Sequence, residues 1–517
     1  MKAAAASVSI LCRRPRRKLC IAVATLVAAG WFASATAHAG ELCAGVARAD
    51  ITDRSVARVN DTLYAKALVL RSDATTVALI TIDAVAIGEL GRIKNDFLPN
   101  VRAALEKELH IPPQGVLINA SHCHGVVCAD VEKRTIQAVR EAWRNLVPVN
   151  VGAGAGHEDR IMENRRLKMK DGSEADVRRA YAVPPDEDLA GVGPTDSQIG
   201  LLRLDRKNGK PLAVVYNFAC HPIQGVPSGG STADIFGFAS KVIEEGLGDG
   251  AMALFLQGCA GDINPVVYKN VHNPHNGEPL GNMLGLSAMR AIKAIQPKAD
   301  RRLSIVRQTL ALPRAADSRQ RIAAIEAQQT RLLRSLKGTS LNLKTFLPLL
   351  VQYKVSGDFP ADYAYRYLHE QAIGRDDLSL LDAENRANMD AYIQNIHVME
   401  QLTRLQTNLN LLKIHQAQNL AAGNKPLDVE VAGLRVGDFV LLTFPGELTV
   451  EIGLNIKRRA PAPLTFVAGY TNGYIYYAPT ARQRSNLGYA QEDCDCLLAP
   501  EWQKLFEERA HWMLKDL

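Results

Sequence analysis

The chain has 517 residues, 47% of them apolar and 22% charged, with a formal charge of +7. That balance excludes a disordered chain and a multi-span membrane protein and allows a large buried core. Much of the charge is local: residues 1–39 carry six Lys and Arg and no acid, so their removal lowers +7 to +1, and net charge then gives no reason to expect nucleic acid or an anionic membrane as a partner.

Those first 39 residues read as a signal peptide. Lys2, Arg13, Arg14, Arg16, Arg17 and Lys18 precede the apolar stretch Leu19 to Phe32, and Ala37-His38-Ala39 before Gly40 supplies a small-x-small cleavage signal. A membrane anchor fits less well, because the apolar run is short and rich in Ala. The expected product is exported to the periplasm or beyond, without a stable membrane span. The paired arginines lack the flanking residues of a twin-arginine signal, which leaves the export route open. Seven cysteines remain after cleavage in a compartment where disulfides persist, and their odd number leaves at least one without a partner in the same chain.

Strand-length apolar runs follow at Gly45–Thr52, Ala67–Leu70 and Val77–Asp83, the pattern of strands buried on both faces. Helical spacing of Phe97, Val101, Leu105 and Leu109 predicts a helix over Ile93 to Leu109. Val116 to Ile118 is a short strand ending in Asn119-Ala-Ser-His-Cys-His-Gly125. A second helix is expected over Val131 to Leu146 and a strand over Val149 to Ala155. Three more buried strands are expected at Gly200–Leu204, Pro211–Ala219 and Met252–Gln257. Alternating strands and helices indicate an α/β fold, a layered mixed sheet with flanking helices.

From about residue 314 to 420 the spacing of apolar residues turns helical, with Ile322, Ile325, Leu332 and Leu336 in one run and Met389, Tyr392, Ile396 and Met399 in another. This predicts a helical insertion with at least two long helices. Strands resume at Leu427–Ala432 and Gly437–Phe444. A helix over Leu448 to Arg459, a strand at Leu464–Ala468, an aromatic turn at Gly469–Thr480 and a helix over Pro500 to Leu514 complete the chain.

Four strand ends carry side chains able to hold a metal: His122 with His124, His221, Glu447, and the tyrosines of Thr471-Asn-Gly-Tyr-Ile-Tyr-Tyr477. His122 and His124, two apart, share one side of any extended continuation of their strand. Two histidines and a carboxylate are a catalytic zinc set that leaves a position for water. Zinc makes a nucleophile of that water near neutral pH, a suitable attack on an amide carbonyl. Asp83, Asp234 and Asp262 are candidates for orienting the imidazoles, although capping or turn formation explains them better.

These residues make the chain similar to the neutral, non-lysosomal ceramidases. The matching stretches are Gly45-Val-Ala-Arg-Ala-Asp-Ile-Thr52, Asn119 to Gly125, Asn164-Arg165, Ala219-Cys-His-Pro222, Gln257-Gly-Cys-Ala-Gly-Asp-Ile-Asn-Pro265, Pro445-Gly-Glu447 and Asn472 to Tyr477 with Tyr489, in order from about residue 45 to 490. The resemblance implies a zinc amidohydrolase that cleaves the N-acyl bond of a sphingolipid, with residues 40–517 as its catalytic domain. Carried over by position, His122, His221, Glu447 and a tyrosine bind Zn2+. That tyrosine is Tyr477 rather than Tyr474, because the family's second active-site tyrosine lies twelve residues after the first, where Tyr489 stands. His124, Arg165 and Tyr489 surround the substrate carbonyl, His124 moving the proton that the leaving amine needs.

Two departures bear on the activity. The family's active-site serine is Gly258 in this chain, with Cys259 beside it, and Gly258 rules out a covalent serine mechanism. With Leu517 as the last residue, the C-terminal β-sandwich of those enzymes is expected to be missing, so ceramide specificity does not follow from the resemblance. The expected function is an exported zinc-dependent amidase acting on an N-acyl, ceramide-like substrate. The alternatives are a zinc hydrolase of esters or other non-lipid carbonyl compounds, and a non-catalytic periplasmic binding protein on the same fold.

Overall fold

The computed structural model describes residues 40–517 apart from 57, 178–183, 226–229, 267–274, 424 and 487–489. The segment read as a signal peptide therefore lies outside the described residues, as does Tyr489.

Eight strands form the main sheet, in the spatial order Met252–Gln257, Pro211–Phe218, Gln198–Arg206, Val147–His157, Cys43–Asp50, Tyr64–Ser72, Thr75–Ile82 and Val116–Ala120. Only the two outermost pairs are parallel. The edge strand Val116–Ala120 is buried along its whole length. Covering both faces is what a continuous apolar run requires.

The strands after residue 300 do not extend this sheet. Leu303–Leu312, Leu427–Val436, Phe439–Thr443 and Thr465–Ala468 make a second, four-stranded sheet. The two sheets pack face to face: Leu68, Leu70, Leu202 and Leu204 meet Leu434, Val436, Phe439 and Phe466 in one core. On the outer face of the main sheet lie the helices Phe97–Leu109 and Val131–Arg144, and beside them Asp234–Leu247 and Glu278–Ile292. On the outer face of the second sheet lie Val450–Arg459 and Trp502–Asp516. The mixed α/β architecture thus has four layers, helix, sheet, sheet and helix.

Two helices of the outer layer escape a sequence reading for a physical reason. Asp234–Leu247 and Glu278–Ile292 each contain two glycines, residues that lower helix propensity by about 1 kcal/mol each. The glycines permit close approach instead: a Cβ on Gly281 would lie 2.5 Å from the Ile235 carbonyl oxygen, and one on Gly285 2.7 Å from Val242.

The insertion comprises four helices, Ser318–Ser335, Leu343–Val355, Ala364–Ala372 and Asp377–Ala422, the last of 46 residues. Among the described residues no helix is long and apolar enough to cross a membrane. All seven cysteines of the described chain are free, and all but Cys43 are buried.

Candidate metal and active site

The site begins where the two edges of the main sheet meet. Asn119, next to last in its strand, accepts the Gln257 N–H at 2.9 Å and donates its amide to the Gly469 carbonyl at 2.8 Å. Gln257, last in the opposite edge strand, donates its amide to the carbonyls of Ser121 at 3.1 Å and Cys220 at 2.8 Å. Two buried carboxamides thus fasten the turn carrying His122 to the turn carrying His221, and both to the aromatic turn after residue 468. The sequence reading placed Asn119 and Gln257 in motifs but gave neither a task.

His122 does not continue its strand. The strand ends at Ala120, and His122 has a left-handed backbone with φ of 66°. The expectation that His122 and His124 share one side of an extended segment therefore gives way to a sharp turn, which aims His122 inward. His124 is exposed, with its ring 5.7 Å from that of His122. It lines a cavity of about 240 Å³ with Val85, Leu90, Arg92 and Ile93.

The turn brings His122 to within reach of His221 and Glu447. One ligand atom from each of the three lies within 4.8 Å of the others, and all three residues are buried. Nε2 of His122 stands 3.5 Å and Nε2 of His221 3.2 Å from the Glu447 carboxylate. The opposite ring nitrogens face main-chain carbonyls, Nδ1 of His122 that of Val85 at 2.6 Å and Nδ1 of His221 that of Ile263 at 3.0 Å. Donation from Nδ1 fixes the tautomer that leaves the Nε2 lone pairs pointing at the carboxylate, the outer support that metal-binding imidazoles need. The donor set fits a divalent ion with nitrogen and oxygen ligands.

The electrostatics agree. Burial, with Arg165 close by, lowers His221 from 6.5 to about 3, so its imidazole is neutral and able to ligate. Burial alone would raise Glu447, but His122, His221 and the Tyr474 hydroxyl hold its carboxyl well below the usual range. Tyr470 and Tyr474 are pushed well above the ordinary phenol value by burial and by Glu447. Both stay protonated and donate to the carboxylate, Tyr470 at 3.2 Å and Tyr474 at 2.5 Å.

Tyr477 is held differently. Its residue pairs in parallel with Glu447, and its hydroxyl accepts from Nη2 of Arg165 at 3.2 Å. Arg165 is itself fully engaged in the interior: Nε donates to Glu492 at 2.7 Å, Nη1 to Asn264 at 3.0 Å and Nη2 to the Gly261 carbonyl. Arg166 continues the network to Asp493 at 2.9 Å and Glu174 at 2.7 Å. The aromatic turn is also tied to the insertion, since His415 of the 46-residue helix bonds Asp495 at 2.7 Å while the Asp495 carbonyl accepts the Tyr477 N–H at 3.0 Å. Neither Glu492 nor His415 carries a signal in the linear sequence.

Asp83, Asp234 and Asp262 orient neither imidazole by a bond to its Nδ1, which faces a main-chain carbonyl. Asp234 accepts the N–H of Gly225 and, at the start of a helix, that of Ile235, while Asp262 accepts that of Val450 at the start of another. Asp83 accepts the Tyr64 N–H at 2.9 Å, and burial raises its carboxyl from 3.8 to about 6. The fold therefore holds a proton that the unfolded chain has released between these values, so stability falls as pH rises from 3.8 to about 6. Asp83→Asn is expected to gain stability relative to the parent across that interval and to keep a constant advantage above it, as thermal melts at a series of pH values would show. A difference that shrinks with rising pH would refute this.

Gly258 directly follows the edge strand Met252–Gln257 and lies against the end of the neighbouring strand, its N–H donating to the Phe218 carbonyl at 2.8 Å. A Cβ there would lie 2.9 Å from the Phe218 carbonyl oxygen and 3.0 Å from Ala219. Gly258→Ser is expected to destabilise the protein by about 1–3 kcal/mol through crowding without raising turnover, read from denaturation and hydrolysis of one preparation. Cys259 does not replace the missing hydroxyl. It is buried against Gly453, and burial keeps its thiol protonated.

No protein-family profile matches the chain, and no curated protein matches it. Solved structures do: the neutral ceramidase from Pseudomonas aeruginosa, at 16% identity and a TM-score of 0.57, and a ceramidase complexed with C2, at 17% and 0.58. Each alignment covers 92% of this chain and 75% of the other. The fold of this chain is the fold of the neutral ceramidases.

Proposed function

We propose that this chain is an exported, zinc-dependent hydrolase that cleaves an N-acyl amide of ceramide-like chemistry. The observation that carries the proposal is the meeting of His122, His221 and Glu447, with both Nε2 atoms turned toward one buried carboxylate. Tyr477 is the fourth ligand in this reading, with Arg165 presenting positive charge to its oxygen. A divalent ion held there supplies Lewis acidity toward a carbonyl and a nucleophilic water at neutral pH.

The chain's own residues do the rest. Tyr470 and Tyr474 fix the Glu447 carboxylate by donating to it, and the main-chain carbonyls of Val85 and Ile263 fix the rings. His124, exposed beside His122, takes up and returns the proton that the departing amine requires. Arg165 acts through Tyr477, which it positions, and the match to the ceramidase pattern is what assigns Tyr489 to the substrate carbonyl. His124→Ala is expected to retain the metal while turnover falls about 10²- to 10⁴-fold; turnover equal to the parent's would remove His124 from the mechanism.

The test is hydrolysis of N-acyl sphingoid bases beside simple amides and esters, before and after chelation and with zinc restored. Cleavage of the N-acyl lipid that chelation abolishes and zinc restores is the expected result. Preference for esters would move the substrate to the alternative class. Binding of the lipid without turnover would identify a binding protein.

A further inference from the structure

The near-neutral charge of the chain beyond residue 39 conceals one strongly basic stretch. Residues 327–357 contain Arg331, Arg334, Lys337, Lys344 and Lys354 and no Asp or Glu. All five cations are exposed, and among the described residues none of them is ion-paired. The stretch includes the helix Leu343–Val355, which is apolar on two opposite sides. Phe346 and Tyr353 face inward and pack against the 46-residue helix, the Phe346 ring stacked on Tyr392 at 4.5 Å. Leu343, Leu347, Val351 and Val355, four residues apart, form a second stripe and are 63%, 55%, 56% and 78% exposed.

An apolar stripe along a helix ordinarily faces a partner surface rather than water. Something therefore covers the outer stripe, and the charge around it decides what. A second copy of the chain meeting this stripe across a two-fold axis would bring Lys344 and Lys354, which flank it on the helix, toward their own equivalents. An anionic lipid surface supplies both missing partners, apolar chains for the stripe and phosphates for the cations. We propose that the Leu343–Val355 helix docks this protein on anionic lipid, with Leu343, Leu347, Val351 and Val355 entering the interface and Lys344 and Lys354 meeting phosphates. This surface is separate from the metal site, so docking does not depend on the hydrolase reading.

The experiment is co-sedimentation of the full exported chain with vesicles of phosphatidylcholine alone or in equal parts with phosphatidylglycerol, at low and high salt. Binding is expected to the phosphatidylglycerol vesicles, to weaken with salt, and to fall about tenfold or more in Lys344→Glu/Lys354→Glu and again in Leu347→Glu/Val351→Glu. These exposed positions leave the core intact, and the variants are expected to hydrolyse a water-soluble substrate as the parent does. His221→Ala is expected to bind vesicles like the parent, which separates a failure of docking from a failure of the metal site. Equal binding to both vesicle types, parental binding by either double variant, or a dimer in solution that Leu347→Glu/Val351→Glu dissociates would each overturn the proposal.

Discussion

Glu447→Gln is expected to fold, to lose its metal and to lose at least about a thousandfold in hydrolysis, since the metal's stabilisation of transition-state charge is worth several kcal/mol. The amide keeps the shape of the carboxylate and an oxygen able to accept from Tyr470 or Tyr474, so the buried hydroxyls are not abandoned together. It cannot supply the negative charge. With His221 neutral, that carboxylate is the one anionic group of the three gathered there. Glu447→Ala confounds the question, because each orphaned hydroxyl costs about 1–3 kcal/mol. The comparison is bound metal and turnover on protein whose melting curve matches the parent's. A Gln variant that keeps both would exclude Glu447 as a ligand.

Arg165→Ala is expected to be the most damaging to stability, by about 3–5 kcal/mol, the cost of breaking a buried ion pair by removing one partner. Arg165 is 1% exposed, and Glu492, which it pairs with at 2.7 Å, is fully buried. Glu492 still touches Arg166, but at 3.4 Å, and Arg166 already serves Asp493 and Glu174. Removing both charges together, as in Arg165→Met/Glu492→Met, is expected to recover much of the loss. Chemical denaturation of the three proteins measures the recovery; a double variant no more stable than Arg165→Ala would show that the pair is not the source of the effect.

Much of this architecture was legible because strands buried on both faces leave continuous apolar runs, as Val77–Ile82 and Val116–Ala120 do. The division into two sheets was not, since a run such as Phe439–Thr443 reads the same whichever sheet receives it. The helix containing Gly281 and Gly285 was missed because tight packing there favours a residue that local propensity disfavours. In the site, His122, His221 and Glu447 could be singled out as polar groups at the ends of apolar strands. What orients them could not: the Val85 and Ile263 acceptors are main-chain oxygens, which every residue possesses. The turn at His122 was hidden for a related reason, because a left-handed non-glycine residue leaves little trace in sequence.

Arg165 carries a further lesson. Its match to the ceramidase pattern implies a place beside the substrate carbonyl, whereas its donors reach Glu492, Asn264, Gly261 and Tyr477. A motif can identify a residue of the site without distinguishing a group that meets substrate from one that holds its neighbour in place.

Elemental analysis of the purified chain and four variants tests the account most directly. One divalent ion per parent molecule is expected, lost in His122→Ala, His221→Ala and Glu447→Gln and kept in His124→Ala. A parent protein that hydrolyses its substrate with no metal bound, or His122 and His221 variants that retain a full equivalent, would contradict it.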